Sequence, residues 1–251
     1  MKTRAMGRYI PLSIPRRFVC DLLHFSRTVP QIPFERKMQL AELKAARDAC
    51  AVKPSWCAIF TKALAITGQR MPVLRRAYMK FPWDRLYEHP HGIASVVIEK
   101  DFNGEPGLLL CLIRRPDELP LWEIDGTIEM YRTDPLEKHG ATRRMMRASR
   151  LPRWLRRLLW WYMLNCDGSV RAYNCGTYSV SVTAGHGATA LRIESPLTST
   201  THYGIFEPDG SLPCRMTFDH RVMDGGDMAR ILVELEKVLM GELLAEVKSL
   251  N

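Results

Sequence analysis

The nine residues Phe218-Asp219-His220-Arg221-Val222-Met223-Asp224-Gly225-Gly226 join a β-type run to a helical one. Upstream, Leu212–Phe218 has strand character; downstream, Asp227 to about Lys248 has the spacing of a closing helix. A strand-to-helix loop held by two rigid elements is a common place for functional side chains. Here it presents His220 and, four residues on, Asp224. An imidazole suits the removal of a thiol, hydroxyl or amine proton near neutral pH, because its ordinary pKa lies close to 6.5. Asp224 is placed to orient the loop, and Gly225-Gly226 allow the backbone to turn tightly. Spacing alone also fits a turn with a solvated His and Asp, since H-x-x-x-D arises often by chance.

Outward from this loop, the chain mixes both periods. Pro15–Ser26 carries Phe18, Leu22 and Phe25 at helical spacing, Ile32–Leu40 alternates as a strand, and Leu40–Cys50 is again helical. A further helix opens at Pro54-Ser55; its apolar set of Trp56, Ile59, Phe60, Ala63 and Leu64 is too broad for a surface helix, which predicts burial. Ile93–Ile98 and Leu108–Ile113 are strand-like around Asn103-Gly104-Glu105-Pro106-Gly107, a hairpin signal. Leu119–Asn165 is helical with breaks at Pro135, Gly140 and Pro152, and strands return at Thr177–Val182, Thr198–Phe206 and Leu212–Phe218. Because strands and helices do not alternate as strict βαβ units, the expected fold is an α/β two-layer sandwich: helices packed on one large mixed or mainly antiparallel sheet. No repeat or low-complexity linker divides residues 1–251, so one domain is expected.

Seven cysteines, odd in number, scattered and without a C-x-x-C pair, argue against a disulfide framework and a zinc site, and point to a reducing cytoplasm. No metal is expected. No apolar run long enough to span a bilayer occurs, and the basic start lacks a signal-type apolar region. The net charge of +9 fits an anionic partner as well as simple solubility. Nucleic acid is disfavoured, because no recognised binding signature accompanies the charge.

The loop resembles the D-H-R-x-x-D-G signature of the acyltransferase core of 2-oxo acid dehydrogenase complexes, a family related to chloramphenicol acetyltransferase. Tyr9-Ile10-Pro11-Leu12-Ser13-Ile14-Pro15-Arg16-Arg17 resembles that family's opening motif, Ser26-Arg27-Thr28-Val29-Pro30 its step into the first strand, and Gly176-Thr177-Tyr178-Ser179-Val180-Ser181 its oxyanion segment. The matches keep family order from residue 8 to residue 240. Condensation domains and plant-type acyltransferases share H-x-x-x-D in longer two-lobed chains; here the motif lies about thirty residues from the end of a one-lobe chain. The resemblance implies a homotrimer, or an assembly of trimers, with active sites between subunits, and coenzyme A or acyl-coenzyme A as substrate. It implies His220 as general base and Ser181 as oxyanion donor from the neighbouring subunit. Thr177, Ser179, Ser181 and Thr183 share strand parity, however, and Thr183 stays a live substitute for Ser181. It further implies an ion pair of Arg16, or failing that Arg17, with Asp224, so that Asp224→Ala would harm fold and activity together. Seven residues precede Arg8 and no lipoyl-type lysine turn occurs, so a free-standing core without lipoyl attachment is expected, its acceptor unidentified and its coenzyme-binding residues unassigned.

Residues 143–164 interleave Arg143, Arg144, Arg147, Arg150, Arg153, Arg156 and Arg157 with Trp154, Leu158, Trp161 and Leu164. That pattern suits an interfacial helix on an anionic membrane; it equally suits packing within the trimer or along an acyl channel, with some arginines meeting coenzyme A phosphates. Two further functions therefore stand beside the acyltransferase: a catalytically inactive trimeric scaffold, and a basic membrane-surface protein.

Overall fold

The computed structural model describes residues 7–102, 104–135, 138–181 and 190–250. Its first helix, α1 (Ile14–Ser26), starts where Ser13 Oγ accepts from the Arg16 backbone N–H at 3.3 Å, with Pro15 in the first turn. Next come β1 (Gln31–Gln39), α2 (Ala41–Ala49) and α3 (Trp56–Arg70), the last capped by Ser55 Oγ, which accepts from Ala58 N–H at 3.0 Å. As its broad apolar face predicts, α3 is buried, with Ile59, Phe60, Ala63 and Leu64 in the core. A short 3-10 turn, Pro72–Arg75, leads into a two-stranded hairpin, β2 (Arg76–Met79) and β3 (Arg85–Glu88). Then follow the expected hairpin β4 (Ile93–Asp101) and β5 (Pro106–Arg114), and the helices α4 (Leu121–Thr133), α5 (Gly140–Arg150), α6 (Arg153–Asn165) and α7 (Gly168–Cys175). Gly176, at φ +86°, ends α7 in a conformation side chains rarely adopt and turns the chain into β6 (Tyr178–Ser181). After β7 (Ser199–Tyr203) and β8 (Ser211–Asp219), α8 (Gly225–Val238) runs through one π turn into α9 (Leu244–Lys248).

The main sheet has the order β1-β8-β7-β6-β4-β5. β6 is parallel to both β4 and β7, and the remaining pairs are antiparallel, so the sheet is mixed. Period-two alternation sorts its faces. Ala94, Val96, Ile98, Cys111, Ile113, Tyr178, Val180, Leu212, Cys214, Met216 and Phe218 face the main core, where α2, α3, α4, α8 and α9 pack. On the opposite face, at the β5 end, a smaller cluster joins Phe18 and Phe25 of α1, Trp160 and Leu164 of α6, Cys175, Leu197 and Leu110. The middle of that face is polar, with Ser95, Ser179 and Thr200 buried on three adjacent strands. β8 is anchored through Phe218, which is fully buried and stacks edge-on with Phe34 at 5.6 Å. Truncating such a residue costs about 3–5 kcal/mol, so the strand leading into the His220 loop is firmly held.

Candidate active site

At the end of β8 the ladder closes one residue at a time. The Asp219 N–H donates to Thr198 O at 2.9 Å and the His220 N–H to Pro30 O at 3.0 Å, after which Val222 N–H turns back onto Asp219 O at 3.0 Å. The Asp219 carboxylate, fully buried, accepts from the Arg221 backbone N–H at 3.0 Å and from its Nε and Nη2 at 2.9 and 2.8 Å. The Arg221 guanidinium in turn lies over the Tyr78 ring at 4.2 Å, and Tyr78 Oη donates to Asp84 at 2.5 Å. The β2–β3 hairpin therefore braces the loop. Behind it, buried Arg171 of α7 donates to Tyr78 O at 3.0 Å and Pro196 O at 2.8 Å, and burial lowers its pKa. Sequence reasoning missed Arg171, Arg221 and Tyr78; only the Asp-His-Arg order hinted at the Asp219–Arg221 clamp.

His220 Nδ1 lies 3.2 Å from Met223 O and 3.4 Å from Asp224 Oδ1. A carbonyl oxygen can only accept, so in the neutral ring this contact puts the proton on Nδ1 and leaves Nε2 as the lone-pair acceptor. The side chain is 42% exposed, which lets an incoming group reach Nε2. Gly225 closes against Phe34, where a Cβ would come within 2.9 Å of Cζ.

Within one chain the expected ion pair of Arg16 with Asp224 is not made. Arg16 Nε lies 3.7 Å from Glu105 Oε1, and Arg17 Nε donates to Leu12 O at 3.1 Å. The reason is topological: α1 packs against β5, α5 and α6 at one edge of the sheet, whereas Asp224 follows β8, with β7, β6 and β4 between them. Asp224 instead opens α8. Its side chain is 83% exposed, its C=O accepts from Met228 N–H at 3.1 Å, and its N–H donates to Asp227 Oδ2 at 3.2 Å. That backbone donor, with Arg230 behind it, holds the Asp227 carboxyl below its usual range. Because Asp224 is the N-cap of α8, in a capping box with Asp227, loss of its exposed side chain should cost about 0.5–2 kcal/mol, and not what a buried ion pair costs.

Ser181 ends β6, opposite Val97, on the polar face of the sheet. Of the same-parity hydroxyls, Thr177 is engaged with the backbone of Ile93 and Ser179 donates to Ser95 O at 2.9 Å. Thr183 lies outside the described residues. Ser181 stands level with His202 and, one strand further, Arg215, five residues before His220. Two strand spacings and five residues of rise separate Ser181 from His220 by roughly 20 Å. One chain does not bring them together.

The arginine–tryptophan segment divides. Arg156 is buried and paired with Asp21, Nε to Oδ2 at 2.5 Å, while Trp160 and Leu164 pack inside. Trp154, Leu158 and Tyr162 point outward at 70%, 55% and 52% exposure, and Arg144 lies over Tyr173 at 4.9 Å. Among the described residues no helix is long and apolar enough to cross a membrane, and no group of three or more His, Cys, Asp or Glu side chains could hold a metal ion.

No family model matches the chain, and no curated protein matches it by sequence. Solved structures do resemble it. Dihydrolipoamide acetyltransferase of Azotobacter vinelandii, in whose catalytic mechanism the roles of a serine, a histidine and an asparagine four residues after that histidine were investigated, superposes with a TM-score of 0.67 at 19% identity, over 94% of this chain and 93% of that one. A truncated catalytic core of the 2-oxoacid dehydrogenase multienzyme complex of Thermoplasma acidophilum gives 0.67 at 14% identity, over 94% and 99%. The cubic core of a pyruvate dehydrogenase multienzyme complex gives 0.65 at 18%, over 94% and 93%. The chain thus has the α/β acyltransferase fold of these catalytic cores.

Proposed function

We propose that this protein is an acyltransferase, moving an acyl group from a coenzyme A or acyl-carrier thioester to a thiol, hydroxyl or amine acceptor. The observation that carries the reading is the placement of His220. Its Nδ1 faces Met223 O at 3.2 Å, so in the neutral ring Nε2 is left to take a proton. In the proposed reaction Nε2 accepts the acceptor's proton as the acceptor heteroatom bonds to the thioester carbon. The resulting tetrahedral oxyanion collapses, the carbon–sulfur bond breaks, and the imidazolium returns its proton to the leaving thiolate. A general base of this kind contributes about 10²–10⁴-fold. A hydroxyl aimed at the oxyanion is typically worth about 2.7–4 kcal/mol of barrier.

The separation of Ser181 from His220 in one chain supports a site shared between subunits, His220 from one and the Ser181 strand, with Thr183 as substitute donor, from the next. A homotrimer, free-standing in the cytoplasm or joined into a larger assembly, is the oligomer we propose. The outward Trp154, Leu158 and Tyr162 beside Arg153 and Arg157 favour peripheral contact with an anionic membrane as an additional role for α6. Failure to co-sediment with anionic vesicles at low salt removes that role.

The test of the main reading is release of free thiol from a panel of acyl-coenzyme A donors in the presence of small thiol, alcohol and amine acceptors. Turnover that depends on His220 supports it. A protein that neither binds nor turns over any donor is the inactive scaffold instead.

A further inference from the structure

The face of the sheet opposite the main core holds two adjoining cavities. The first, of about 100 Å³, lies over β4, β6 and β7; Ser95, Ser179, Ser181 and Thr200 form its floor, and Val19, Leu22 and Leu108 lie among its apolar walls. The second, of about 140 Å³, lies between α5, α6 and β5, lined by Met145, Ala148, Leu159 and Met163. Phe18, Leu110, Trp160 and Cys175 line both, so these side chains form the throat between them, with the Phe18 and Trp160 rings 5.6 Å apart.

The two ends differ in chemistry. At the sheet end, Ser95 and Thr200 are buried, with 1% and 2% of their surface exposed, yet their hydroxyls have no hydrogen-bond partner among the described residues. The strand register sets Ser95, Ser179 and Thr200 side by side on one face. A buried hydroxyl without a partner is costly, and such a group facing a cavity signals a ligand atom that satisfies it. The helix end is lined mainly by apolar side chains, among them two thioethers whose unbranched, flexible chains adapt to a linear guest; Thr142, Ser149, Asn174 and the exposed Arg144 interrupt it.

We infer that the two cavities form a binding site for a linear acyl chain, its carbonyl end at the Ser95–Ser181–Thr200 floor and its tail between α5 and α6. This rests on the acyltransferase reading and names its substrate class: a medium-chain acyl thioester. A cavity of about 150 Å³ takes a benzene ring, so the two spaces hold roughly eight to ten carbons in line. Cys175, in the throat, does not compete for the acyl group as a thiolate, because burial pushes its thiol up to about 12.

The experiment has two arms. Calorimetric titration with free linear carboxylates from four to fourteen carbons probes the pocket without any thioester chemistry, and turnover of acyl-coenzyme A donors of the same lengths probes the reaction. The dissociation constant should fall about fourfold per methylene up to roughly eight to ten carbons and then level off. Ala148→Trp, which fills the helix end, should bring the levelling-off several carbons earlier, and Met163→Ala should extend it; melting curves check that each variant folds. A dissociation constant indifferent to length, or the same profile in wild type and both variants, overturns the pocket. Carboxylates that obey the profile without turnover of any donor leave the pocket standing and bring down the acyltransferase reading. Donors turned over with no length preference, and carboxylates that do not bind, do the reverse.

Discussion

Asp21 on α1 and Arg156 on α6 make a buried ion pair whose loss from one side should be expensive. Their side chains are 3% and 10% exposed, Arg156 Nε donates to Asp21 Oδ2 at 2.5 Å and Nη2 to Oδ1 at 3.4 Å, while Nη1 reaches Leu151 O at 3.1 Å. The pair clasps the two helices that bring Phe18 and Trp160 together in the smaller core. Asp21→Ala strands a guanidinium away from water, and breaking such a pair typically costs about 3–5 kcal/mol. For a chain of this size about 2–4 °C of melting temperature goes with each kcal/mol, so the midpoint should fall by roughly 6–20 °C. Asp21→Leu combined with Arg156→Met removes both charges and replaces them with apolar side chains, and should recover most of that loss. Urea or calorimetric unfolding of the single and double variants at neutral pH measures both numbers. A single variant that loses less than about 1 kcal/mol, or a double variant no better than the single, refutes the burial argument.

Three further outcomes follow from the site and its surroundings. Ser181→Ala should lower kcat about 10²–10³-fold if its hydroxyl meets the oxyanion, and Thr183→Ala should do so if that residue serves instead; turnover unchanged in both removes both candidate donors. When inactive Ser181→Ala and His220→Ala chains are co-assembled, part of the activity should return, since mixed oligomers pair an intact His220 with an intact donor; no recovery rules out a shared site. Buried His139 stacks on Tyr131 at 3.9 Å, its Nε2 has no partner among the described residues, and burial lowers its pKa from 6.5. A depressed imidazole binds its proton more readily in the unfolded chain, so its contribution is complete above pH 6.5 and disappears as pH falls through the lower folded value. His139→Phe keeps the stack and should flatten the acid limb of the melting-temperature profile below pH 6.5; an unaltered slope there contradicts this.

Much of this was legible because hydrophobic period reports element type. The switch from Leu212–Phe218 to the helix after Gly225 marked the His220 loop, and the breadth of apolar residues from Trp56 to Leu64 marked α3 as internal. The β2–β3 hairpin was not legible, since Arg76–Met79 and Arg85–Glu88 are four residues each, half-exposed and too short to display a period. The same brevity hid α7, and with it Arg171. Partnerships across the chain were beyond reach for a different reason. Asp21 and Arg156 lie 135 residues apart, and nothing local marks either as buried. The Arg16–Asp224 pairing, implied by resemblance alone, is not made within one chain, because the packing of α1 against β5 puts Glu105 beside Arg16 and leaves Asp224 exposed. Strand parity showed that Ser179 and Ser181 share a face, but not that β6 is an interior strand whose polar face meets a cavity.

The claim on which the rest stands is that His220 Nε2 removes the acceptor's proton. The most direct measurement compares kcat of wild type and His220→Ala with one acyl-coenzyme A donor and one acceptor, alongside the oligomeric state and melting temperature of both. The expected result is a loss of about 10²–10⁴-fold in kcat with assembly and melting nearly unchanged, since the His220 ring is partly exposed and its loop is held by Asp219 and Arg221. Turnover by His220→Ala at the wild-type rate contradicts it.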